Sequence, residues 1–237
     1  MDSMDNFFLN NPIFLKYKRR FDLKKFRRVP YLKKAIINER IIEIPFVLTE
    51  LSNVAPASRI LDLGCMESML PLFMAAAGYQ VTGFDFREYP YRVPNFSFVQ
   101  GDILNLPFPD HEFDAVTCVS TIEHVGIGFY RDPTSEKNAP DVKGIAQARR
   151  VLKRRGLFLL TVPFGKPHEN NQQRIYDKLG IDRLLYGFDV QKMQFYKNVH
   201  PVSGNNYWEE IKLTEAEGIF YETGTECVCC VSAVNQS

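Results

Sequence analysis

The chain has 237 residues, 45% of them hydrophobic and 24% charged, which suits one soluble domain with additions around a full core and excludes a disordered polyelectrolyte. Its apolar runs fall short of the roughly 20 residues that span a bilayer, so a helical membrane protein is excluded as well. The net charge of +1 hides an asymmetry, because residues 16–34 hold ten of the 29 Lys and Arg against the single acid Asp22, giving this segment +9 and the rest −8.

In that basic segment Phe14, Leu15, Phe21, Phe26 and Tyr31 flank or interleave with the charges. Three readings are open: a helical lid with a solvated basic face, a surface for an anionic membrane, or a grip on an anionic substrate. Specific nucleic-acid recognition is disfavoured, since no second basic cluster of similar density follows. Residues 1–53 read as an N-terminal extension, helical from about Leu32 to Asn53 with Pro45 as a kink or break, ahead of a domain over 54–237.

The domain opens on RILDLGCMESML, Arg59 to Leu70. Ile60, Leu61 and Leu63 fit a strand buried on both faces, Gly64 permits backbone angles that other residues resist, and Ser68 can cap a helix. VTGFD at Val81 to Asp85 is the next strand, ending in an acid placed to accept hydrogen bonds from ribose hydroxyls. A dinucleotide fingerprint needs a second glycine for close approach to a pyrophosphate, and Met66 stands there, so a phosphate-bearing cofactor is disfavoured.

Further along come FVQGDIL (Phe98 to Leu104), the strand FDAVTC (Phe113 to Cys118), STIEHVG (Ser120 to Gly126), a helix ending in ARRVLKRRG with basic residues in its last turn and Gly156 as stop, and the strand LFLLTVPFG. This order resembles the class I S-adenosylmethionine-dependent methyltransferases, whose first motif commonly reads LDLGCGTG. GCMES, STIEHVGIG and TVPFG are also similar to a bacterial subgroup associated with surface-glycan or secondary-metabolite pathways.

The resemblance implies a doubly wound α/β fold: a mostly parallel seven-stranded sheet with an antiparallel edge hairpin, formed by 192–197 and 226–234. It implies that S-adenosylmethionine is bounded by Asp62, Gly64, Cys65, Met66 and Glu67 in the turn. Asp85 and Phe86 follow the second strand, Asp102 and Ile103 meet the adenine, and Ser120 lies near the methionine end. Glu67 is expected to draw the methionine ammonium.

Methyl transfer from an activated sulfonium needs an in-line acceptor and a dry pocket, and a hydroxyl acceptor also needs a base. His124, just past the fourth strand, is the leading candidate, with a structural role as the other reading; His168, in the VPFGKPHEN loop, is the second. His200 lies in a loop that covers the site in one reading, and His111 sits in the turn PFPDHEFD as a solvated residue.

The insertion Val125 to Asp141 brings Phe129, Tyr130 and Arg131 as candidate pocket residues. Glu123, His124, Asp132, Asp141 and Glu169 lack compact ligand spacing, so no metal is expected. Cys227 and Cys230 form a C-x-x-C pattern inside an alternating β-branched run, which reads as a buried last strand. The five cysteines and the absence of a signal-peptide pattern point to the cytoplasm.

The expected function is O-methylation of a sugar or small metabolite. N-methylation, aminopropyl transfer and a catalytically silent scaffold are the alternatives.

Overall fold

The computed structural model describes residues 39–66, 68–128, 130, 138–199, 207–221 and 226–237. The chain divides into two compact units, Met1–Ile41 and Ile42–Ser237. The basic segment 16–34, Glu67, Phe129, Arg131, Asp132 and His200 lie outside the described residues.

Helix α1 (Arg40–Leu51) buries Glu43, Phe46, Val47 and Leu51, an i, i+3, i+4, i+8 stripe that tolerates Pro45 within it. The Tyr79 hydroxyl fixes its end by donating to the Leu51 carbonyl at 2.6 Å. Then follow β1 (Arg59–Leu63), α2 (Leu70–Ala76), β2 (Gln80–Asp85), β3 (Phe96–Gln100), β4 (Phe113–Val119), a 3-10 turn (Ile122–His124), α3 (Pro140–Val151) and β5 (Leu152–Pro163). The chain goes on through β6 (His168–Glu169), β7 (Arg174–Ile175), α4 (Lys178–Leu184), β8 (Phe188–Val199), β9 (Tyr207–Ile211), α5 (Leu213–Ala216) and β10 (Cys227–Asn235).

Among the described residues the main sheet has eight strands in the order β3-β2-β1-β4-β5-β10-β8-β9. The five from β3 to β5 pair in parallel, while β10 is antiparallel to both β5 and β8. The β8/β10 pairing expected from sequence is present, and β9 adds one strand beyond the seven expected by pairing antiparallel with β8. Its YWEEI has only one clear polar-apolar alternation, too little to announce a strand.

Strand alternation sorts the core into two layers. Ile60, Val81, Ala115 and Leu159 pack against Phe46, Val47, Leu70 and Met74 of α1 and α2. Leu61, Leu63, Val116, Phe158 and Leu160 pack against Ile145, Ala148, Ile181 and Leu184 of α3 and α4. Cys229 belongs to this second layer and Cys230 to the first; Cys227 and Cys230 lie on opposite faces of β10, and both are buried free thiols. Burial pushes the Cys227 thiol up to about 12, which keeps it protonated at neutral pH.

Two local expectations change. The Ser68 hydroxyl accepts the Leu70 amide at 3.1 Å, but the N-cap itself is Met69 and Pro71 sits in the first turn. In ARRVLKRRG the helix stops at Val151 and LKRRG begins β5. Lys153 is drawn to Asp114 on the neighbouring strand (2.7 Å), and Arg155 takes φ +58 in a bulge, so Gly156 is no helix cap.

Candidate active site

The carboxyl ends of β1, β2 and β3 form a tight backbone-built corner. Gly64 has φ +74, and a Cβ there would lie 2.1 Å from Thr121 Cγ2, so both angle and space require glycine. Its amide donates to the Phe84 carbonyl at 2.8 Å, tying the turn to β2. Asp85, 5% exposed, accepts the Met66 amide on Oδ2 (3.0 Å) and the Arg87 amide on Oδ1 (2.9 Å). Two site residues expected from sequence, Met66 and Asp85, thus touch.

A carboxylate offers about four lone-pair positions; the two amides and Arg87 Nε, 3.5 Å from Oδ1, take up part of them, and the remainder suits ribose hydroxyls of a nucleoside without phosphate. The Gly101 amide donates to the Asp85 carbonyl at 3.0 Å and brings the β3 end alongside. There Asp102 Oδ1 accepts the Leu104 amide at 2.9 Å, and Ile103 and Phe86 are half-buried. Asp62 is turned into the sheet, its Oδ1 accepting from Thr117 Oγ1 at 2.6 Å. Cys65 is buried; burial first, then the Asp62 and Asp85 charges, push its thiol up, so it is a packing residue and no nucleophile.

The carboxyl ends of β4 and β5 are assembled from side chains. Ser120 takes φ +41, its hydroxyl donating to Glu43 at 2.5 Å and its amide to Thr161 Oγ1 at 3.1 Å. His124 Nδ1 lies 2.6 Å from the Gln172 backbone carbonyl, which can only accept, so Nδ1 carries a proton. Nε2 is 3.8 Å from the buried Glu123 carboxylate. Arg174 donates to the Val125 carbonyl at 2.6 Å, a second tie between this segment and the β6–β7 hairpin. The Tyr130 ring stands edge-on to His124 (5.1 Å) and under the Arg87 guanidinium (4.5 Å), spanning from the β4 side to the β2 side.

His168 borders a cavity of about 420 Å³ with Asp141, Arg174, Tyr176, Asp177 and Arg183. The Tyr176 hydroxyl donates to Asp141 at 3.1 Å, and burial followed by the Asp141 charge keeps the phenol protonated. The hairpin therefore carries both histidine candidates at once: it holds His168 and receives the His124 bond. His111, at φ +56, contacts the Leu152 carbonyl (3.2 Å) at the opposite end of the sheet, far from this edge. Among the described residues no His, Cys, Asp or Glu cluster of metal-binding size occurs.

Sequence reasoning missed Glu43, Thr121, Thr161 and Arg87. Only Glu43 left a signal, as a charge on the apolar stripe of α1.

Residues 61–160 match a family model described as a methyltransferase domain. A sterol 24-C-methyltransferase of Gibberella zeae is 30% identical over 152 residues, covering 59% of this chain and 34% of that one. A ubiquinone biosynthesis O-methyltransferase of Bordetella parapertussis is 32% identical over 148 residues, covering 58% and 54%. The chain thus spans between a third and just over half the length of these relatives. The solved structure of Burkholderia thailandensis 1,6-didemethyltoxoflavin-N1-methyltransferase, with S-adenosylhomocysteine bound, superposes with a TM-score of 0.55 at 13% identity, over 81% of this chain and 77% of that one. The two share their fold.

Proposed function

We propose that this chain, whose residues 61–160 form a methyltransferase domain with S-adenosylmethionine as its cofactor, moves the sulfonium methyl onto a hydroxyl of a small molecule or sugar. The observation that carries the reading is the Gly64 turn bound to Asp85 at the carboxyl edge of the sheet, inside the matched segment. The Bordetella relative is an O-methyltransferase by name, which supports oxygen as acceptor; the Gibberella relative is a C-methyltransferase by name, which makes carbon the second reading.

In this reading Asp85 takes the ribose hydroxyls, Asp102 and Ile103 the adenine, and Phe86 a flank of the nucleoside. Gly64, Cys65, Met66, Glu67 and Ser120 border the methionine end, beside the buried Asp62. Bound there, the cofactor supplies a methyl that needs no further activation. The chain's own work is to align the acceptor, keep water out and receive a proton. With Nδ1–H held by the Gln172 backbone carbonyl, His124 Nε2 would be the atom that receives the proton of the acceptor hydroxyl. His168, on the wall of the cavity, is the alternative base.

Residues 1–53 are read as an extension whose basic segment 16–34 meets an anionic acceptor or membrane surface from the cytoplasm; no described helix is long and apolar enough to cross a membrane. The surface-glycan association of the subgroup supports a sugar acceptor. Calorimetry tests the core claim: S-adenosylmethionine binds and NAD does not, and release of S-adenosylhomocysteine on a panel of hydroxylated sugars and metabolites identifies the acceptor. Tight NAD binding, or no S-adenosylmethionine binding, overturns the reading. Binding without turnover on any acceptor favours a scaffold, and mass spectrometry of the product separates oxygen from carbon or nitrogen.

A further inference from the structure

Glu43 is fully buried on the inward stripe of α1, and its Oε1 accepts two hydroxyl hydrogen bonds, from Ser120 Oγ (2.5 Å) and Thr161 Oγ1 (2.6 Å). A carboxylate oxygen can only accept, so both protons point at Glu43. Thr161 Oγ1 then has a lone pair for the Ser120 amide at 3.1 Å, and that amide also reaches the Thr161 carbonyl at 3.0 Å. The result is a closed circuit: Ser120 amide to Thr161 hydroxyl to Glu43, and Ser120 hydroxyl to the same oxygen.

The circuit holds Ser120 at φ +41, in the left-handed region that a residue with a Cβ resists. The direction in which the chain leaves Ser120 decides where Thr121 lies. Thr121 in turn fills the space where a Gly64 side chain would stand, and its hydroxyl is anchored on the Val119 carbonyl at 3.0 Å. A residue 21 positions upstream of the cofactor turn is in this way linked to it through two packed neighbours, Ser120 and Thr121.

We propose that Glu43 is a positioning residue for the methyl-transfer site: it imposes the left-handed turn at Ser120 and, through Thr121, the shape of the Gly64 corner that receives the methionine end of the cofactor. The proposal rests on the S-adenosylmethionine reading above. No contact between Glu43 and cofactor is required, and the expected role is indirect.

The full chain and its variants are tested by calorimetry with S-adenosylmethionine and by amide hydrogen exchange over 62–66 and 119–122. Glu43→Ala weakens binding at least tenfold and speeds exchange in both segments, whereas Glu43→Gln, which keeps an accepting oxygen, stays within threefold. The deciding variant is Glu43→Ala with Ser120→Gly: glycine adopts the left-handed angle unaided, so the pair binds at least fivefold more tightly than Glu43→Ala alone. A merely structural Glu43 gives no such rescue, and that result overturns the proposal, as does Glu43→Ala binding like the wild type. Should Glu43→Ala fail to fold, Ser120→Ala, which removes one arm of the circuit, weakens binding several-fold, and unchanged binding overturns the proposal. Failure of the wild type to bind S-adenosylmethionine sinks the cofactor reading instead; the exchange experiment then still decides whether Glu43 governs the two segments.

Discussion

The β1–β2 corner proposed for the cofactor and the β4–β5 edge proposed for the acceptor lie side by side on the same sheet but are made differently. At the β1–β2 corner the contacts are backbone amides on one carboxylate, Met66 and Arg87 on Asp85, within a short stretch of chain. At the β4–β5 edge the contacts are made by side chains drawn from α1, the 3-10 turn, β5 and the β6–β7 hairpin, such as Glu43 on Thr161, His124 on the Gln172 backbone carbonyl and Arg174 on the Val125 carbonyl. Backbone contacts of the first kind are indifferent to most side-chain changes. The second kind can be rebuilt by single substitutions, which is what a site that must change its acceptor requires.

The largest effect expected separates the two regions completely. His124→Ala lowers kcat by roughly 10² to 10⁴, the range for loss of a general base, and leaves the calorimetric Kd for S-adenosylmethionine unchanged. A parallel loss of cofactor binding would merge the two regions, and a near-normal kcat would hand the role to His168. Asp85→Ala is the mirror experiment. Removing the carboxylate that takes the ribose hydroxyls costs about 1 to 3 kcal/mol of cofactor affinity, with kcat at saturation preserved.

Arg87→Ala probes the bridge, since this guanidinium lies over Tyr130 from the cofactor side. Loss of a cation–π contact of about 0.5 to 1 kcal/mol predicts a few-fold rise in acceptor KM, measured against an unchanged kcat. The smallest effect belongs to neither region. Burial raises the Asp114 carboxyl, but the Lys153 and Arg59 hydrogen bonds and charges outweigh it and leave the group below its ordinary value.

A depressed carboxyl stabilises the fold above its unfolded value, near 4, and loses that contribution as pH falls through the lower folded value. Denaturant melts of Asp114→Asn against wild type should therefore differ at neutral pH by under about 1 kcal/mol, because the pair is partly exposed, and converge in acid. Cofactor affinity is untouched, since Asp114 is near the amino end of β4.

The same contrast explains what could be read from the residues alone. Gly64, Asp85 and the strand alternation were legible because a tight turn and a buried strand constrain residue type locally. The Glu43 circuit was not, because a glutamate in a helix says nothing of a threonine 118 positions later. The end of α3 was misread for a related reason: the basic run suited a helix terminus, but Asp114 on the adjacent strand competes for Lys153. Strand β9 escaped notice because an edge strand is held by pairing more than by pattern.

The place of β10 sets the order in which this molecule can be made. The strand lies between β5 and β8, paired to both, yet Cys227–Asn235 leaves the ribosome after every other described strand of the sheet. Until it arrives, β5 and β8 present open edges to the surroundings, and the pairings that close them span long stretches of chain, the slow and adhesive kind. A nascent chain stalled before residue 227 is therefore a client for chaperones, while one that gains the nine residues Cys227–Asn235 zips two edges in a single event.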